Sequence, residues 1–112
     1  MNCALLENGW TIAYAHVRGG GDKGKQWHHQ ALKKRALTWS DLEDTVAYLI
    51  REKYTHPSVL FMESHSAGAI AVWNMLNKAP HLFKAVVLNY PFLDVLNTLL
   101  DPTDALSSSD HA

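Results

Sequence analysis

Residues 60–73 constrain this chain most: Leu60-Phe61-Met62-Glu63-Ser64-His65-Ser66-Ala67-Gly68-Ala69-Ile70-Ala71-Val72-Trp73. A short apolar run leads into a knot of small residues around a serine, and an apolar helical stretch follows. A strand that turns into a helix this abruptly needs small side chains at the turn, because the two backbones approach closely there. The residue at the apex is driven to positive φ, which persists only where its surroundings hold it. The string therefore predicts a strand, a sharp turn and a helix with Ser66 at the tip and its hydroxyl outward, the layout of a nucleophile elbow. Ser64 and Gly68 flank Ser66 at two-residue spacing. Gly68 lets the helix pack close to the sheet, and the Ala67 backbone N–H falls where an oxyanion donor is needed. The usual G-x-S-x-G pattern has become Ser64-x-Ser66-x-Gly68, and the Ser64 Cβ should fit at some strain. The same string also fits a helix N-cap in which Ser64 or Ser66 accepts the first free N–H groups. Pattern alone leaves both readings open.

The rest of the chain alternates helix and strand signals. Leu5-Leu6-Glu7-Asn8-Gly9 reads as the last turn of a helix stopped by a C-cap glycine. Residues 10–17 are apolar or small on both faces, as in a strand buried between layers. Arg18-Gly19-Gly20-Gly21-Asp22-Lys23-Gly24 is a glycine-rich loop, with Arg18 and Asp22 expected to tether it by charge. A helix is predicted to open at Leu37, with Thr38 as cap, Asp41 three residues on and Leu37 stapled to Leu42. Leu42, Val46, Leu49 and Ile50 give it one apolar stripe. After a turn at 54–58 come a strand at 59–62, a nearly all-apolar helix at 67–79 ended by Pro80, and a strand at 85–88. Strand, helix, strand, helix, strand describes two βα crossovers of a parallel sheet and an α/β fold.

Composition narrows the function classes. A chain of 112 residues is one domain at most, and a hydrophobic share of 47% with four Trp supports a packed core. The net charge of −1 supplies no field for nucleic acid or for a membrane surface. No apolar run approaches the ~20 residues that span a bilayer. Cys3 is the only cysteine, so neither an intramolecular disulfide nor a Cys-based zinc site is expected, and a reducing, cytoplasmic setting fits.

Several blocks are more specific than the serine motif. Ala13-Tyr14-Ala15-His16-Val17-Arg18-Gly19-Gly20-Gly21 and Pro91-Phe92-Leu93-Asp94-Val95-Leu96-Asn97-Thr98 are the strongest; Gly9-Trp10, Gln26-Trp27-His28, Ser66-Ala67-Gly68 and Leu82-Phe83-Lys84-Ala85 lie between them or beside them. In order and spacing they resemble the catalytic domain of the prolyl oligopeptidase family, in its oligopeptidase B and prolyl endopeptidase-like branch, over about residues 5–102. The resemblance implies a partial α/β-hydrolase fold, with residues 1–112 a fragment of the catalytic domain. It implies a serine acylated by substrate and freed by water that a histidine activates, with Ser66 matching that serine. The acid and base are expected beyond Ala112, and a β-propeller before Met1. This remainder of the parent chain is the expected partner, together with a peptide or ester substrate; no cofactor is implied. The family usually carries glycine where this chain has Ser64, His65 and Ala69, which weakens the expectation of efficient catalysis.

Other temptations yield to plainer readings. Asp94, Asp101 and His111 follow Ser66 in triad order, but too few strands intervene to carry an acid and a base, and Asp94 fits the cap of a helix at Val95–Leu100. The glycine loop lacks G-x-G-x-x-G spacing and the acidic residue about 20 positions on that a dinucleotide site needs. His28 and His29 point apart with no third ligand in reach, so no metal is expected. Lys33-Lys34-Arg35 is a solvated loop. The expected function is a serine-type peptidase or esterase acting through Ser66 within a larger protein. The alternative is an interaction protein that keeps the fold without the chemistry.

Overall fold

The computed structural model describes residues 3–101, in two compact units, Met1–Ala47 and Tyr48–Ala112. In the first unit, α1 (Cys3–Glu7) stops at Gly9, whose φ is 80°. Gly9 N–H donates to Leu6 O and Trp10 N–H to Leu5 O, both at 3.0 Å. This is the paired closure that a left-handed residue permits, as the sequence predicts.

Residues 11–17 correct the sequence reading, because they form no strand. Their apolar character on both faces describes a segment that partners and covering layers would bury. Strand structure requires a paired neighbour, and among the described residues 11–17 has none; Tyr14 is 71% exposed. A second departure follows the glycine loop. Residues Lys25–Lys33 form α2, which ends the basic run's life as a loop, since Lys33 closes the helix and Lys34 is its C-cap. Cations there are favourable at the negative end of the helix dipole. Only Ala31 of α2 is buried, so its apolar stripe is too thin to read from sequence.

The next helix, α3 (Ala36–Arg51), starts two residues ahead of the predicted cap. Thr38 lies in its first turn and donates its hydroxyl to Arg18 O at 2.8 Å, and Asp41 is taken by Arg18. Tertiary donors and acceptors outcompete the local capping box. The apolar stripe is as predicted: Leu42 and Val46 are buried, Leu49 and Ile50 half-buried.

In the second unit a 3₁₀ turn at Pro57–Val59 delays the strand predicted at 59–62. Pro57 lacks an N–H, and Ser58 N–H is held by His56 Nδ1 at 3.3 Å. β1 is Phe61–His65, and it pairs in parallel with β2, Ala85–Asn89, in register from Phe61 opposite Ala85 to His65 opposite Asn89. Between them α4 (Gly68–Lys78) buries Ala69, Ala71, Val72 and Met75 and packs on β1. Among the described residues one βα crossover is thus formed of the two predicted. The apolar circumference of α4 is only partly used, for Trp73 is 45% exposed. Met62, Ser64, Val86 and Leu88 are half-buried, whereas Phe61, Glu63, His65 and Val87 on the opposite sheet face are exposed. α5 (Val95–Leu100) is capped by Asp94, which accepts from Asn97 N–H at 3.4 Å and Asn97 Nδ2 at 2.9 Å.

Candidate active site

Ser66 follows β1 directly, with φ at 49°. A left-handed serine costs roughly 1–2 kcal/mol, and three backbone hydrogen bonds hold it there. Its N–H donates to Asn89 O at 3.1 Å, extending the parallel ladder one step past His65. Its carbonyl accepts from Ala69 N–H at 3.1 Å, in the first turn of α4, and from Phe92 N–H at 3.2 Å. The last residue of β2 and the segment after it therefore grip Ser66 at its two ends, and Tyr90, with φ at 48°, makes the turn between the two grips.

The N-cap of α4 is Ala67, with no side-chain cap hydrogen bond, so neither Ser64 nor Ser66 is spent as a cap. Among the described residues the Ser66 hydroxyl has no hydrogen-bond partner, and the Ala67 N–H meets no backbone acceptor. A hydroxyl and an amide N–H in consecutive residues at the start of an 11-residue helix can supply an attacking oxygen and a donor to developing negative charge.

Gly68 leaves room for the Ser64 hydroxyl. A Cβ there would lie 2.8 Å from Ser64 Oγ, the side chain on the helix-facing side of β1. The residue under strain is Ser66; Ser64 contributes crowding. On the other sheet face, Asn89 Nδ2 donates to Glu63 Oε1 at 2.8 Å, and His65 Nε2 lies 3.4 Å from each of those two atoms. Asn89 was not singled out by sequence; its only signal is a polar residue closing an apolar strand.

The glycine loop belongs to the first unit. As expected, Arg18 and Asp22 both tether the loop by charge, Arg18 through Asp41. The Asp41 carboxylate accepts from Arg18 N–H and Nε at 2.8 Å and also from Nη2, with the two side chains 14% and 25% exposed. Asp22 meets His16 Nδ1 at 3.0 Å. One Asp41 carboxylate thus satisfies both the main chain and the head group of Arg18. The hydrogen bond from the Arg18 guanidinium holds the Asp41 carboxyl below the usual aspartate range against the opposing push of burial, and raises Arg18 in turn.

Gly19 has φ at 104° and is wedged between α2 and α3, where a Cβ would lie 3.3 Å from Ala31 Cβ and 3.2 Å from Thr38 Oγ1. A Cβ on Gly20 would meet Asp22 Oδ2 at 2.8 Å, whereas Gly21 is open. His28 Nδ1 is 2.6 Å from Gly19 O; a carbonyl only accepts, so Nδ1 carries the proton. Arg18 and Lys23 both lie over the Trp27 ring, 5.6 and 4.8 Å from its centroid. Asp94 and Asp101 serve as the caps of α5, and His111 lies outside the described residues. Among the described residues no group of three His, Cys, Asp or Glu is placed to hold a metal, and no helix is long and apolar enough to cross a membrane.

A strand, a left-handed serine, a helix and a parallel return strand are the α/β-hydrolase elbow, of which this chain carries part. Residues 1–111 match the prolyl oligopeptidase family. The chain is 43% identical over 100 residues to the prolyl endopeptidase-like protein of Rattus norvegicus, covering 88% of this chain and 14% of that protein. It is 33% identical over 111 residues to dipeptidyl aminopeptidase BI of Pseudoxanthomonas mexicana, covering 98% and 15%. Oligopeptidase B from Trypanosoma brucei, in a closed form with covalently bound antipain, superposes with a TM-score of 0.76 at 37% identity, covering 85% of this chain and 14% of that one. The chain belongs to the prolyl oligopeptidase family. It spans about one-seventh of the length of these relatives.

Proposed function

We propose that this chain contributes the nucleophile of a serine-type peptidase or esterase. Ser66 Oγ attacks the substrate carbonyl carbon as its proton passes to a base. The carbonyl oxygen gathers charge opposite the Ala67 N–H, and collapse expels the amine or alcohol, which takes that proton from the base, to leave an acyl-Ser66. Water, deprotonated by the same base, attacks the ester and restores the hydroxyl. The base and the acid that orients it come from outside the described residues, in the remainder of a larger catalytic domain that residues 1–112 help to build. A peptide is the favoured substrate class, and the cytoplasm the favoured setting.

The observation that carries this function is the left-handed Ser66, gripped by three backbone bonds with its hydroxyl left unbonded among the described residues. Strain of this kind clusters at active sites, where it helps to present the reacting group. The covalent antipain complex of the Trypanosoma brucei relative lends support, since such an adduct is what an enzyme nucleophile forms. A fluorophosphonate probe on the full-length protein tests it. Labelling mapped to Ser66 and lost in Ser66→Ala is the expected result. Absence of labelling in a folded protein would favour the non-catalytic interaction protein.

A further inference from the structure

Asn89 serves two partners at once. Its backbone carbonyl accepts the Ser66 N–H at 3.1 Å, and its side-chain Nδ2 donates to Glu63 Oε1 at 2.8 Å. Glu63 lies on β1 three residues before Ser66, on the sheet face away from the half-buried Ser64. We propose that Glu63 is a positioning residue for Ser66, acting through Asn89. This rests on Ser66 being the nucleophile.

The physical case begins with strain. Ser66 stays at positive φ because its neighbours hold it, and the Asn89 carbonyl is the anchor on its N–H. That carbonyl can hold its direction only as well as residue 89 holds its own, at the last position of a strand whose next residue, Tyr90, is itself left-handed and 91% exposed. The Glu63 carboxylate pins the far end of the same residue with a charge-assisted bond. His65 Nε2 lies 3.4 Å from both Asn89 Nδ2 and Glu63 Oε1, beside the bond between them. The remaining residues of this face, Phe61, Ala85 and Val87, are apolar and offer Glu63 no competing donor. Among the described residues Glu63 bonds to neither the Ser66 hydroxyl nor the Ala67 N–H, so its influence passes through Asn89.

The test uses the full-length protein, a fluorophosphonate probe with saturation kinetics, and deuterium exchange at the Ser66 amide. Glu63→Ala should slow the first-order inactivation step about three- to tenfold, the worth of one hydrogen bond, while the half-saturating probe concentration stays unchanged. Exchange at the Ser66 amide should quicken while the Phe61–His65 amides keep their protection. Glu63→Gln keeps an oxygen that accepts the same bond and should stay within about twofold of the parent. If Glu63→Ala fails to fold, Asn89→Ala takes its place, for it removes the carboxamide and leaves the anchoring carbonyl. The double variant should be no slower than either single one. A wild-type rate in Glu63→Ala, faster exchange spread evenly along β1, or additive losses in the double variant would each overturn the proposal and leave Ser66 as nucleophile. A wild-type protein that the probe does not label at Ser66 removes the nucleophile itself, and the positioning role with it.

Discussion

Asp41 accepts from Arg18 at two levels, the backbone N–H and the guanidinium, across 23 positions of sequence. A side chain bonded to both the main chain and the head group of one residue fixes where the chain runs as well as where the charge lies. Arg18 O is held in turn by the Thr38 hydroxyl, and Gly19 fits between Ala31 and Thr38. The glycine loop is thus anchored to the first two turns of α3.

Asp41 makes that anchor pH-dependent. The Arg18 hydrogen bond keeps its folded-state carboxyl below the ordinary aspartate range. A depressed folded value contributes stability that is fully present above the unfolded pKa of about 4 and is lost as pH falls through the folded value. Asp41→Asn in the full-length protein should therefore lower the thermal midpoint by several degrees at neutral pH, and by progressively less below the ordinary aspartate range. An equal deficit at neutral and strongly acid pH would refute it.

Gly68 and Ser64 should behave as a coupled pair. Alanine at the start of a helix normally stabilises by about 0.4–1 kcal/mol over glycine, but here its Cβ would lie 2.8 Å from Ser64 Oγ. Overpacking of this kind costs about 1–3 kcal/mol. Gly68→Ala is expected to destabilise on its own and to become neutral or stabilising in a Ser64→Gly background. Denaturant midpoints of the four proteins read the sign change, and additive effects would exclude the contact.

Activity should follow Ser66 and tolerate Ser64→Gly. In a full-length protein that turns over substrate, Ser66→Ala should abolish turnover and Ser64→Gly should preserve or raise it. Residues 1–112 alone should show none above a Ser66→Ala control, since removing a base or nucleophile typically costs ~10⁴–10⁶ in rate. Serine-dependent turnover by that chain would make His111 the first suspect as base.

Expressed alone, residues 1–112 should fold marginally or aggregate. Among the described residues the sheet has two strands, and Phe61 and Val87 on its outer face are 46% and 51% exposed. Two-stranded sheets are marginal in water, and open edges recruit other chains. Sedimentation and thermal melting check this; a soluble monomer with a sharp, reversible transition would contradict it.

Sequence alone determined the local events. The stop at Gly9, the stripe of Leu42, Val46, Leu49 and Ile50, the order β1, turn, α4, β2, and the Asp94 cap all depend on contacts within a few residues, which composition and period record directly. The elbow string was legible too, although the choice between apex serine and N-cap was not, because both use the same small residues. Tertiary structure decided the rest. Residues 11–17 have the side chains of a strand and no partner among the described residues, and pairing is a property of two segments. Thr38 and Asp41 have the spacing of a capping box, yet Arg18, distant in sequence, offers both of them stronger bonds. The strain at Ser66 is held by Asn89 and Phe92, more than 20 residues on. Only folding brings such partners to one point, because nothing in the spacing of a sequence records which distant backbone groups will meet.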